Sequence, residues 1–252
     1  MPDDRSVVSP PSHCPACGHR IRWYENIPLL SWVMLRARCS ACGTPISPLY
    51  PAIELLTGLL GLLLFRKLMP EAGDVSQAAF AAWAVYFVFL SMLVASTYID
   101  LRHYIIPDEF SIYAVPLGVG ASALLTWMGY EGALTWKQSV VGALIGGGFL
   151  LVVIGAYWLV KRVEGMGFGD VKLLAMLGAF LGTWPALFFI VLVSTLLGSF
   201  VGLAMIVFRG RSFKAQLPFG PFLAFAAVIY VFFGDVLIAK YLPSLMFVPL
   251  ML

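Results

Sequence analysis

The run Gly165-Met166-Gly167-Phe168-Gly169-Asp170 sets an acid at the end of a glycine-alternating turn, and after Lys172 an apolar stretch continues to Trp184. A carboxylate at the mouth of a hydrophobic span is costly unless it has a partner or a task. A second acid, Asp100, ends the apolar run Ala79 to Ile99. Two such acids read as a carboxylate dyad, the apparatus of aspartic proteolysis. Close carboxylates cannot both ionise, so they share a proton. The ionised one takes a proton from water and the protonated one polarises a scissile carbonyl. The pair titrates as a unit, so neither acid has a fixed role. Gly165, Gly167 and Gly169 let an extended peptide approach the backbone, as a substrate strand beside the acids requires.

Asp108, in Ile106-Pro107-Asp108-Glu109, competes with Asp100 for the first place. It precedes an apolar run and reads as the N-cap of the next helix, a structural task. Asp100 caps nothing, and a carboxylate at a helix C-terminus faces the unfavourable end of the dipole. Asp100 is therefore the functional candidate.

The cysteines carry a different chemistry. Cys14-Pro15-Ala16-Cys17 and Cys39-Ser40-Ala41-Cys42 are two CxxC turns with 21 residues between them. Each turn can offer two thiolates to one ion, and two turns complete a tetrahedral, closed, structural zinc site. Two disulfides are the rival reading, disfavoured in a reducing compartment. The aromatic stretch from Arg22 to Trp32 lies between the pairs. It reads either as a loop lying on the bilayer or as a binding surface for a second substrate.

These groups need elements to hold them. The 252 residues are 61% hydrophobic and 12% charged, with a net charge of +3 and a mean hydropathy of +0.92. That excludes a soluble globular domain, and the small charge gives no ground for nucleic acid. The expected fold is all-α and polytopic. Residues 1–50 form a small zinc-binding head and residues 51–252 a transmembrane body. Residues 1–13 are polar and proline-rich, without the apolar core of a signal peptide. Spans are expected at about 52–69, 79–99, 110–129, 138–160, 171–183, 185–207 and 219–241. The fifth is too short to cross unaided, and short spans often line cavities. With seven spans, twelve of the sixteen Lys and Arg residues share the side of the head. The positive-inside rule makes that side cytoplasmic, and it holds both Asp100 and Asp170.

The motifs GMGFGDVKLL, CPAC…CSAC, NIPLLSW, YPAIELLTG, IDLRHYIIPD and LPFGPFLA together resemble the type IV prepilin peptidases, a GxGD family of membrane aspartic proteases. The resemblance runs from about residue 12 to residue 224. It implies cleavage of the leader of type IV prepilins or type II secretion pseudopilins after a glycine, on the cytoplasmic side of the bacterial inner membrane. It also implies N-methylation of the new terminus with S-adenosylmethionine. The catalytic acids map to Asp100 and Asp170, and the zinc ligands to Cys14, Cys17, Cys39 and Cys42. Two positions depart from the pattern. Members typically begin with a further span, whereas this sequence opens Met1-Pro2-Asp3-Asp4, and Leu49 stands where an arginine usually precedes Tyr50-Pro51. The rival classes are another GxGD protease, against which the cysteine head argues, and an ion- or proton-coupled transporter. A transporter predicts an internal repeat, and none is evident.

The basic-residue split generates a topology test. Labels placed at Asp74 and at Arg211 are expected on opposite faces of the membrane, with Arg211 cytoplasmic. Labelling of both from one side would break the span count.

Overall fold

The protein is described by a computed structural model covering residues 12–69, 76–162, 167–209 and 217–241. Its regular elements are all helical. A 3-10 turn, Trp23–Asn26, and a short helix α1, Leu30–Met34, lie in the head. Then come α2 (Leu49–Leu68), α3 (Gln77–His103), α4 (Ala114–Trp127), α5 (Trp136–Lys161), α6 (Phe168–Leu181), α7 (Ala186–Arg209) and α8 (Gly220–Tyr241). Among the described residues the only strand-like features are two isolated bridges in the head, His13 with Arg20 and Arg38 with Pro45. The chain divides into two compact units, Met1–Leu63 and Leu64–Leu252.

The seven expected spans correspond in order to α2 through α8. Five described segments are long and apolar enough to cross a bilayer: Leu49–Leu68, Gln77–His103, Asp108–Trp127, Trp136–Lys161 and Ala186–Phe208. The apolar part of α8 is shorter, and α6 has only 14 residues.

Local chemistry sets the helix ends. The Ser76 hydroxyl accepts the amide of Ala79 at the start of α3. Thr135 and Gln138 form a reciprocal capping box at the start of α5. Both α3 and α5 stop at a residue in the left-handed region, Tyr104 and Arg162, whose amides close the last turn.

The core is built around α6. Ten of its residues are buried, from Asp170 through Phe180. It packs against α4, α5, α7 and α8. This accounts for the short fifth span: a helix enclosed by its neighbours need not match the lipid thickness. In lipid, helices are not driven together by hydrophobicity, so close packing and interhelical hydrogen bonds must hold them. The seam between α5 and α6 supplies both. Gly142 and Gly146 form a GxxxG step on α5. A Cβ at Gly142 would lie 2.1 Å from the Gly178 carbonyl oxygen, and one at Gly146 would lie 2.4 Å from that of Leu174. Buried Ser139 on α5 donates its hydroxyl to the Ala179 carbonyl at 2.6 Å. On the other side of α6, Phe180 stacks on Phe89 of α3 with ring centroids 4.6 Å apart.

Gly142→Val is expected to destabilise the membrane unit by about 3 kcal/mol, because backbone faces the new side chain and cannot yield. Gly148→Val, where nothing lies within 4 Å of the Cβ position, should melt near the parent. Thermal unfolding in detergent compares the two. Equal losses at both sites would show that the seam is not tightly closed.

Candidate functional site

Asp100 lies one turn before the end of α3 and Asp170 lies in the first turn of α6. Although far apart in sequence, they face one region: Ile106 packs against Gly169, the neighbour of Asp170, and against Gly220, on which the Asp100 carboxyl lies. Both are enclosed, at 5% and 7% exposure. The Asp170 amide donates to the Gly167 carbonyl at 3.2 Å, which starts the first turn of α6. The Asp100 carbonyl accepts the Tyr104 amide at 2.9 Å, which closes α3. The two carboxyls are thus presented by opposite ends of two helices.

A third element completes the site. The first residue of α8, Gly220, turns its backbone N–H to the Asp100 carboxyl. A Cβ here would sit 2.6 Å from Asp100 Oδ2 and 2.9 Å from Ile106 Cδ1, so only glycine fits. Pro221 follows, in the first turn where its missing N–H costs nothing. Asp100 Oδ2 is itself buried without a hydrogen-bond partner among the described residues. Such an atom is a poor structural choice and a good place for an incoming donor. Phe219, next to Gly220, lines an open recess of about 240 Å³ with Thr195, Gly198, Ser199, Leu217 and Phe222.

The glycines of the loop before α6 divide. Gly165 lies outside the described residues. Gly167 is the N-cap of α6 with an extended backbone that any residue can adopt. Gly169 has a packing reason to be bare: its Cβ position is 3.1 Å from Ile106 Cβ. The side chain against it is therefore one of the chain's own, from the segment after α3. Sequence reasoning passed over both Ile106 and Gly220, although a Gly-Pro step at a span mouth was a readable signal for the latter.

Asp108 does not cap α4, as its position suggested. It opens a 3-10 turn, Asp108–Phe110, and α4 begins only at Ala114. Its carboxylate instead takes the Lys172 ammonium at 2.5 Å, 64 residues away in the chain.

The head, in the first unit, is built from two near-copies of one turn. In each, the first cysteine's carbonyl accepts the amide of a glycine four residues on, Gly18 or Gly43, at 2.9 and 3.0 Å. Both glycines have φ of 71°, a left-handed turn that bends the second cysteine back beside the first. The sequence shows this glycine after each CxxC pair. All four thiols are free, and their sulfurs lie within 4.8 Å of one another. Cys14 and Cys42 are 3.9 Å apart. Tetrahedral sulfurs around a zinc ion, each at about 2.3 Å, would be about 3.8 Å apart, so the donor set fits that ion.

Without a cation the protons are held unevenly among the thiols. The Ala16 and Cys17 amides hold the Cys14 thiol below its usual value. The Thr44 hydroxyl and amide bring Cys42 down to about 6. The His19 amide pulls Cys17 down as well, but the crowding of Cys42 and burial outweigh it and push Cys17 up to about 12. Four thiolates cannot coexist so close together without a cation to neutralise them.

Glu25 ties the two turns together. It is held below the usual carboxylate range by the Ser40 hydroxyl of the second turn and by the Arg22 amide. It also lies 3.5 Å from His19 Nε2 of the first turn.

Comparison with known proteins agrees with these features. Residues 1–68 match the bacterial peptidase A24 N-terminal domain, and residues 87–203 match the type IV leader peptidase family. A prepilin leader peptidase/N-methyltransferase from Aeromonas hydrophila is 41% identical over 253 residues, covering 96% of this chain and 81% of the relative. Proteins of the same name from Stutzerimonas stutzeri and Xanthomonas campestris are 38% and 37% identical, over 94% and 96% of this chain and 76% and 78% of theirs. No solved structure matches. The chain belongs to the type IV leader peptidase family, whose members include these bifunctional relatives.

Elemental analysis of the purified protein is expected to find about one zinc per chain, lost in Cys14→Ser or Cys42→Ser. The loss should unfold the head, read as faster proteolysis between residues 12 and 48. Intramolecular disulfides in protein taken from intact cells would overturn the assignment.

Proposed function

We propose that this protein is a membrane aspartic endopeptidase that removes the leader of type IV prepilins or type II secretion pseudopilins. Cleavage falls after a glycine at the cytoplasmic face of the bacterial inner membrane. Asp100 and Asp170 are the catalytic acids. The observation that carries the reading is that both acids are buried, one at the end of α3 and one at the start of α6, with Ile106 packed against Gly169 beside Asp170 and against Gly220 beside the Asp100 carboxyl. The positive-inside distribution supports a cytoplasmic head and site. Residues 1–50 serve as the head, and the four cysteines hold a structural zinc ion. Residues 51–252 serve as the protease body.

The chemistry needs no covalent intermediate. One carboxylate draws a proton from water as the water attacks the scissile carbonyl, and the protonated partner donates to the carbonyl oxygen. The Gly220 amide restrains Asp100 during the exchange. Oδ2 of Asp100, buried and without a hydrogen-bond partner among the described residues, is the atom left to accept a donor from the water or the peptide. Burial keeps bulk water from competing for these hydrogen bonds.

The relatives' names support a second activity, transfer of a methyl group from S-adenosylmethionine to the new N-terminus. A transporter reading loses ground against the family matches and against the cysteine cluster.

Asp100→Asn and Asp170→Asn should each abolish leader cleavage in a membrane assay, by at least about a thousandfold, with protein levels kept. The double variant should be little worse than either single, since the acids act as one unit. Mass spectrometry of the prepilin, with and without S-adenosylmethionine, separates cleavage from methylation. Normal cleavage by both single variants would end the protease reading.

A further inference from the structure

We propose that Asp108 and Lys172 form a latch that positions the segment Tyr104–Pro107 across the acid pair, so that both are positioning residues for peptide cleavage. The inference rests on the assignment of Asp100 and Asp170 as the catalytic acids.

The segment is held at two ends, and each hold lies beside one acid. At its start, the Tyr104 amide is bonded to the carbonyl of Asp100. Beyond its end, Asp108 meets Lys172, two residues after Asp170 on α6. Between the holds, buried Ile106 reaches the bare backbone of α6 at Gly169 and that of α8 at Gly220. One side chain thus spans the two helices whose first turns flank the acids.

The latch is built to transmit position. Asp108 heads a stiff turn, in which its carbonyl accepts the amides of Ser111 and Tyr113 at 3.2 and 3.0 Å. The Ser111 hydroxyl, buried, donates to the Pro107 carbonyl at 2.8 Å. Asp108 cannot shift without carrying Pro107, and with it Ile106. The lysine is fixed as well, because its ammonium also sits 5.6 Å from the Phe168 ring centroid, one turn back on α6.

Stability alone is a weak reason for this pair. The side chains are 26% and 47% exposed, for Lys172 and Asp108. Ion pairs so open to water add little to folding. Geometry at the acids is the stronger reason, since a displacement of about 1 Å at reacting groups can cost about a hundredfold in rate.

The test uses the full chain in lipid bilayers with a purified prepilin. It compares Asp108→Asn, Lys172→Met, their double variant and Lys172→Arg. The single variants are expected to lower kcat about tenfold with KM within about twofold. The double variant should fall no further, and Lys172→Arg should keep most of the rate. Single variants with parental kcat, or losses that multiply in the double variant, would overturn the latch. So would a loss seen only as less folded protein with unchanged kcat, the mark of a structural role. Asp170→Asn is run alongside. If it still cleaves, the acid assignment fails; if it is dead while the latch variants match the parent, only the latch fails.

Discussion

Two like-charged groups buried together inside a membrane protein form the constraint on which the rest of this structure depends. A pair of carboxyls is unstable company in a low dielectric, and among the described residues neither one is ion-paired with a lysine or arginine. The Lys172 ammonium, two residues after Asp170, is engaged elsewhere by Asp108. The scaffold must therefore hold the acids by geometry. It brings Asp100 on the end of a long helix, Asp170 on the start of a short enclosed one, and a backbone amide at the start of a third.

The same constraint explains where side chains have been removed. Gly169 and Gly220 are bare because Ile106 and the Asp100 carboxyl occupy the space a Cβ would need. Gly142 and Gly178 are bare because α5 and α6 touch backbone to backbone. Each glycine removes volume at a point where two elements must come closer than side chains allow. The head solves a separate problem. A unit of this size has little core of its own, and its four sulfurs converge within 4.8 Å of one another, a set that could hold a metal ion. Glu25, between Ser40 and His19, shows that the protein contacts reinforce the same join.

Much of this was legible in the chain itself. The order of helices follows from apolar runs, the acids from their places at the ends of such runs, and the cysteine cluster from paired spacing. What escaped was set by tertiary contact. Asp108 reads as an N-cap because a short acid precedes an apolar run, yet Lys172 claims it from 64 residues away. Ile106 reads as filler in a loop, and its position over Gly169 and Gly220 depends on three elements meeting. Gly220 escaped for a related reason: its value lies in a backbone amide, which carries no mark in the residue type beyond smallness. The GxxxG step of α5 was readable, since its spacing alone predicts a close helix contact.

The glycine seam between α5 and α6 has a mechanical consequence. Two helices interlocked at the level of carbonyl oxygens cannot slide past each other without a clash, so they behave as a single beam. Asp170 is mounted on that beam. Asp100, on α3, and the Gly220 amide, on α8, are mounted outside it. Any widening of the gap between the acids, such as threading a peptide strand demands, is therefore a displacement of α3 against a stationary anvil.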